Sequence, residues 1–274
     1  MQERIKREIR IKADSFREKC KISRYGIMDL FKECDRCGYK LIRYPLGDNS
    51  DLGFATKKDE DIVIFTNSSS RLSREIFTLA HEIGHVVLHF SDGCSFVDDS
   101  ITIAGKSSDE KEQEANYFAA CLLMPTDDVA RFLDLEVSSE ENVELSAMDI
   151  ARIMSEFSVS FDMALNRLES LGKIDSNQKL RLDNEKTEKK VGNLLRSASG
   201  NVRLNIPSNE IGIPYEYIDY VIYNYNHNAI PKETLDKALK CYQLSFDDIS
   251  DKISICSEEK EDVNLDNLIG GLED

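Results

Sequence analysis

Residues 71–90 read RLSREIFTLAHEIGHVVLHF and contain the pattern His-Glu-x-x-His at positions 81–85. Apolar residues recur in this stretch at intervals of three and four, which predicts a buried amphipathic helix. These residues are Ile76, Leu79, Ala80, Ile83, Val86 and Val87.

The predicted helix places His81 and His85 one turn apart on the same face, where both imidazoles can reach one metal ion. Glu82 is rotated by roughly 100° from His81, so its carboxylate can address a water on the metal. In this chemistry two histidines hold Zn²⁺, the ion lowers the pKa of its water to about 7, and the carboxylate carries the proton. The sequence therefore predicts a metal site with Glu82 as general base.

The third metal ligand is not in the same helix. The metzincin class of zinc peptidase requires glycine at position 88 and histidine at position 91, and Leu88 and Ser91 exclude it. His89 lies about 12 Å beyond His81 along the axis, too far to share its metal. We expect His89 to end the helix or face a loop, and the third ligand to come from another helix.

Residues 109–124, DEKEQEANYFAACLLM, predict that second helix. Glu112 extends its apolar stripe towards the N-terminus, whereas Glu114 points away from the stripe, so Glu112 is the better ligand and Glu114 the alternative. Asn116 shares the face of Glu112 and could hydrogen-bond a metal ligand. The stripe consists of Ala115, Phe118, Ala119, Leu122 and Leu123.

Two motifs together, LAHEIGHVVLH at 79–89 and EQEANYFAACLLMP at 112–125, resemble the ImmA/IrrE family of metallopeptidases. The resemblance covers roughly residues 20–135. It implies a zincin-like domain in which His81, His85 and Glu112 hold Zn²⁺, or Mn²⁺ in its place, and Glu82 is the general base. It also implies a substrate, a helix-turn-helix transcriptional repressor, inactivated in a mobile-element or stress-response switch.

Two other functions compete with a zinc-dependent endopeptidase. One is an anti-repressor that only binds the repressor and keeps a structural or regulatory metal, although a structural site has no need of a general base. The other is a DNA-binding regulator that uses residues 146–174, which resemble a helix-turn-helix unit. Residues 147–175 carry a net charge of −2, from three Lys/Arg and five Asp/Glu. That charge disfavours direct nucleic-acid binding.

The predicted fold class is α+β. A zincin-like, mainly helical catalytic domain contains a small three-stranded antiparallel sheet, built from strands 40–44, 52–56 and 61–66. The third strand directly precedes the metal helix. It either holds an extended substrate as an edge strand or belongs to the core of the sheet.

Composition divides the chain further. We predict the metallopeptidase domain at 1–135, a helix-turn-helix-like segment at 136–175 and a linker at 176–205. This last segment could also form a surface helix followed by a loop. A small helical module at 206–250 and an acidic tail at 251–274, predicted to be disordered, complete the chain. The polar loop 91–110 is either a lid or a passive connector.

The remaining features exclude several classes of protein. The net charge is −16, which argues against nucleic acid as the principal ligand. We found neither an apolar run of membrane-spanning length nor an N-terminal secretory signal. Seven cysteines without an export signal predict reduced thiols in a cytoplasmic protein, including the lone pair Cys34 and Cys37.

Overall fold

The computed structural model describes residues 1–47, 52–58, 60–90, 110–137 and 144–254. The chain divides into two units, Met1–Gly212 and Ile213–Asp274, and each has a hydrophobic core of its own. Among the described residues, every helix is too short or too polar to cross a membrane.

Two helices form the centre of the first unit. They are α3, Leu72–His89, and α4, Glu110–Leu123; α1 (Glu3–Arg17) and α2 (Leu30–Arg36) precede them. α3 and α4 pack closely at Gly84, where a Cβ atom would lie 3.2 Å from the Ala115 backbone and 3.1 Å from the Phe118 ring. Because Gly84 has no side chain, α3 can pack this closely against α4.

The sheet of the first unit is mixed. Its strands are β1, Lys40–Tyr44, β2, Gly53–Lys58, and β3, Asp61–Asn67, in the order β1-β3-β2. β3 runs antiparallel to β2, as predicted, but parallel to β1. The expectation of a wholly antiparallel sheet is therefore wrong for one of the two pairings.

β3 is the central strand of this sheet. Its Ile64 side chain is fully buried in the main core. β3 is therefore an interior strand of the sheet, which is the second of the two roles predicted for residues 61–66. The hypothesis that this strand is an edge that holds the substrate is wrong. The edge strand nearest α3 is β2, whose Gly53 lies against Thr78.

The helices that follow α4 share the core of α3. They are α5 (Thr126–Phe132), a π-helical turn (Leu133–Val137), α6 (Ala147–Phe157), α7 (Phe161–Ser170), α8 (Ser176–Lys189) and α9 (Val191–Ser197), then a 3₁₀ turn (Val202–Asn205). α6 and α7 form the predicted helix-turn-helix-like pair, with Ser146 and Ser160 as N-caps. The loop prediction for 91–110 lies outside the described residues, apart from the first residue of α4.

Residues 176–205 are helical, as the second of the two predictions for this segment has it, and the linker prediction is wrong. α8 and α9 fill most of the segment, and their sparse leucines are buried in the main core. These are Leu182, Leu194 and Leu195. Long polar stretches surround these leucines and made the segment resemble a linker: α8 has a single buried residue, Leu182, and α9 has two, Leu194 and Leu195.

Residues 206–212 also belong to the first unit, which places the boundary after 212 instead of before 206. The Leu72 amide donates to the Ile206 carbonyl (3.0 Å), and the Arg43 amide donates to the Gly212 carbonyl (2.7 Å). The Arg43 guanidinium pairs with Glu75 in α3 through two bonds of 2.8 and 2.9 Å, and with Glu210 at 2.7 Å. The segment is thereby fastened to both β1 and α3.

The second unit is helical. It contains α10 (Glu216–Asn226), α11 (Lys232–Cys241) and a 3₁₀ turn (Asp247–Lys252). Its core consists of Ile218, Val221, Ile222, Leu235, Ala238, Leu239 and Ile249. Of the predicted tail 251–274, residues 255–274 lie outside the described part of the chain.

Candidate metal centre

The structure brings together the three side chains that the sequence proposes as metal ligands. His81 Nε2 and His85 Nε2 lie 3.0 Å apart, as their spacing of one helical turn predicts. The Glu112 carboxylate of α4 reaches both imidazoles, with one oxygen 3.2 Å from His81 Nε2 and the other 3.2 Å from His85 Nε2. Among the described residues, these three side chains form the one group of potential metal ligands whose donor atoms all lie within 4.8 Å of one another.

The spacing of these atoms fits a small tetrahedral ion. Ligand atoms bonded to one zinc ion at roughly 2.0–2.1 Å lie about 3.3 Å from one another. The observed separations of 3.0 to 3.2 Å are close to that value. Two imidazole nitrogens and one carboxylate oxygen also form a donor set found in catalytic zinc sites, which leave one position open.

His81 is held in place by α4. Its side chain is 1 % exposed, and its Nδ1 lies 3.0 Å from Asn116 Oδ1. When Nδ1 donates its proton to the amide oxygen, the lone pair of Nε2 faces the other two ligand atoms. Asn116 therefore has the orienting position that the helical projection suggested for it.

His85 is oriented by a second histidine. His85 Nδ1 lies 3.0 Å from His89 Nδ1, and His89 Nε2 lies 3.2 Å from Glu114 Oε2. With His85 Nε2 facing Glu112, the proton on His85 Nδ1 is donated to His89, which donates its own Nε2 proton to Glu114. His89 does end α3, but its side chain is mostly buried, so the expectation of a loop-facing residue misses its role.

The same geometry distinguishes the two candidate glutamates of α4. Glu112 faces both His81 and His85, whereas the Glu114 carboxylate contacts His89. The sequence left Glu114 open as an alternative ligand. In the structure Glu114 does not contact His81 or His85, and His89 lies between it and the ligand cluster.

Glu82 lies beside the cluster and against β2. The residue is 4 % exposed, and its carboxylate accepts a hydrogen bond from the Ala55 backbone amide. Burial raises the pKa of Glu82 to about 7. A carboxyl group with a pKa near neutrality can both accept and return a proton, which suits a general base. Gly53 makes this contact with β2 possible, because a Cβ there would lie 2.6 Å from the Thr78 methyl group.

Local electrostatics favour the ligand forms of the cluster. Burial, together with His81, lowers the pKa of His85 to about 4, so its imidazole is neutral at neutral pH. The adjacent imidazoles, His81 first and then His85, lower the pKa of Glu112, so its carboxylate is ionised at neutral pH. The neutral imidazole of His85 and the ionised carboxylate of Glu112 are the forms that bind metals.

Comparison with known proteins agrees with this geometry. Residues 34–169 match the Peptidase_M78 family, described as the IrrE N-terminal-like domain. These residues form a domain of the ImmA/IrrE family of metallopeptidases. No curated protein sequence matches the chain.

The IrrE N-terminal-like domain contains the whole candidate centre. The match begins in α2 and ends in α7, so it includes the sheet, both helices of the metal cluster and most of the helix-turn-helix-like pair. The family confirms the resemblance on which the sequence prediction rested. Both α3 and α6, which share one hydrophobic core, lie within the matched residues.

The other candidate pair, Cys34 and Cys37, lies outside the cluster. Both residues are free cysteines, and burial raises the pKa of both thiols. A raised pKa keeps each sulfur protonated, whereas metal binding and redox chemistry need the thiolate. They remain consistent with the ordinary thiols that the sequence predicted.

Proposed function

We propose that this protein is a zinc-dependent endopeptidase that cleaves a helix-turn-helix transcriptional repressor. The observation that carries the proposal is the convergence of His81, His85 and Glu112 beside the buried carboxylate of Glu82. A structural metal site would not need that carboxylate. Membership of a metallopeptidase family supports the same reaction class.

Each residue of the centre has a distinct role in this proposal. His81, His85 and Glu112 would hold Zn²⁺, and the same ligands would suit Mn²⁺. The bound ion would polarise the peptide carbonyl and acidify the attacking water. Glu82 takes the proton of that water and returns it to the leaving amine. Asn116 and His89 keep the two imidazoles oriented.

β2 supplies a binding edge for an extended substrate. All six of its residues pair with β3 on one side. On its other side, no strand pairs with it in the described part of the chain. A peptide that adds to this edge would run past Glu82, which accepts a hydrogen bond from Ala55 of the same strand. The edge role that the sequence offered for 61–66 thus suits β2 better.

A protein partner suits the charge of the chain better than DNA does. The net charge of −16 attracts a basic repressor and repels nucleic acid. In the helix-turn-helix-like pair, Arg167 is 5 % exposed and donates to the Met124 carbonyl (2.9 Å), so it is not available to phosphates. We therefore propose that α6 and α7 pack or dock proteins and do not bind DNA.

Incubation with a purified helix-turn-helix repressor encoded beside this gene tests the proposal. The wild-type protein is supplied with Zn²⁺, with Mn²⁺ or with a chelator, and the repressor is followed by gel electrophoresis and by DNA binding. We expect discrete fragments and loss of DNA binding with metal, and neither with chelator. Loss of DNA binding with chelator and without fragments would instead support the non-proteolytic anti-repressor.

A further inference from the structure

A groove of about 1680 Å³ runs along the N-terminal half of α3. Two of its lining residues touch the centre: Asn116 bonds His81, and Gly53 lies against Glu82. Phe77 and Met163 provide apolar lining further along. The groove therefore borders the candidate active site through Asn116 and Gly53, whereas His81, Glu82, His85 and Glu112 are not part of its lining.

Two arginines of the groove have no acidic partner in the part of the chain that the structure describes. Arg71 and Arg74 line it at the start of α3, and both side chains are exposed. Within the described residues, neither guanidinium forms an ion pair or a side-chain hydrogen bond. In a chain with a net charge of −16, these two arginines give this part of the groove a positive charge.

The other charged side chains of the groove already have partners. Lys186 Nζ lies 2.6 Å from an Asp162 carboxylate oxygen, and Arg167 donates to the Met124 carbonyl. The charged side chains of the described lining that are still available to a ligand are therefore the positive ones of Arg71 and Arg74.

The spacing along α3 relates the arginines to the reacting bond. Arg74 lies about 10 Å and Arg71 about 15 Å before His81, at 1.5 Å per residue. An extended peptide advances about 3.3 Å per residue, so these distances correspond to about three and about five substrate residues.

We infer that this groove selects substrates with acidic side chains about three to five residues from the scissile bond, through Arg71 and Arg74. The inference rests on the endopeptidase function proposed above and names the substrate sequence that the site prefers. The net negative charge of the chain attracts a basic partner protein. The groove binds a short acidic segment of that same partner.

Peptide binding tests this inference without hydrolysis. The probe is a fluorescein-labelled peptide of alternating Glu and Ala, and its twins carry Gln or Lys in place of each Glu. Binding to zinc-loaded Glu82→Gln protein is measured by fluorescence anisotropy at low salt. Two exposed ion pairs favour the Glu peptide over the Gln twin by about tenfold, and added salt reduces this preference.

Charge reversal supplies the decisive comparison. Arg71→Glu/Arg74→Glu, made in the Glu82→Gln background, should reverse the preference towards the Lys twin. The matched control is Arg7→Glu, an exposed arginine of α1 outside the groove, which should keep the preference for Glu. Equal or undetectable binding of the Glu and Gln peptides, or an unchanged preference after reversal at 71 and 74, overturns the inference.

Cleavage separates this inference from the proposed function. Wild-type protein that cleaves peptides without an acidic preference overturns the inference alone. Wild-type protein that never cleaves, while its Glu82→Gln form prefers the Glu peptide, overturns the proposed function alone.

Discussion

His85 and His89 stand one turn apart on α3 with their Nδ1 atoms 3.0 Å from each other. His89 in turn contacts Glu114, so a hydrogen-bonded chain runs from a carboxylate through two imidazoles to the metal centre. Partners of this kind fix the ring orientation and the tautomer of a metal ligand.

His89→Ala should therefore weaken zinc binding by about tenfold to a hundredfold, because His85 loses the acceptor for its Nδ1 proton. Competition with a chromophoric chelator measures the affinity. His89→Gln keeps a polar group at this position and should lose less. Wild-type affinity in His89→Ala would show that the chain from Glu114 has no influence on His85.

Glu112→Ala should abolish stoichiometric zinc, whereas Glu114→Ala should retain it. Glu112 contacts both ligand histidines and Glu114 contacts neither. Metal content of the dialysed proteins, measured by plasma mass spectrometry, compares the two substitutions directly. Loss of zinc from Glu114→Ala alone would mean that the ligand assignment on α4 is wrong.

Glu75→Ala should lower the free energy of unfolding by about 3–5 kcal/mol, because it leaves the guanidinium of Arg43 buried without its main partner. The Arg43 side chain is 9 % exposed and that of Glu75 is fully buried. Urea denaturation measures the change. The matched control is Lys189→Ala, which breaks the exposed pair with Glu185 and should cost less than about 0.5 kcal/mol.

Gly53→Ala should cost about 1–3 kcal/mol of stability and reduce peptidase activity while zinc content stays unchanged. The new Cβ would lie 2.6 Å from the Thr78 methyl group and 2.7 Å from the Phe65 carbonyl oxygen, so β2 must move away from α3 and Glu82. Gly192→Ala is the control, since its nearest neighbour is 3.7 Å away. An unaltered rate in Gly53→Ala would indicate that the position of β2 does not matter to the reaction.

The sequence was most informative where local periodicity and chemistry coincide. The spacing of His81 and His85 fixes both on one face of a helix whatever the rest of the fold does. Projection of α4 then selects Glu112 over Glu114, and the structure brings Glu112 to both histidines.

Features that depend on distant pairing were not predictable in this way. A strand pattern does not say which neighbour it pairs with, so the parallel pairing of β1 with β3 was missed. The buried leucines of α8 and α9 are sparse in a polar sequence, so that region resembled a linker. The contact of His89 with Glu114 joins side chains of two helices, and the spacing within one helix does not reveal it.

The central claim is that Glu82 serves hydrolysis at a metal held by His81, His85 and Glu112. Its most direct test is a mass spectrum of the repressor after incubation with wild-type and Glu82→Gln proteins of equal zinc content. We predict that wild-type protein yields two fragments whose masses sum to the repressor plus one water, and that Glu82→Gln yields none. Fragments from both proteins at the same rate, or from neither while the repressor loses its DNA binding, would contradict the account.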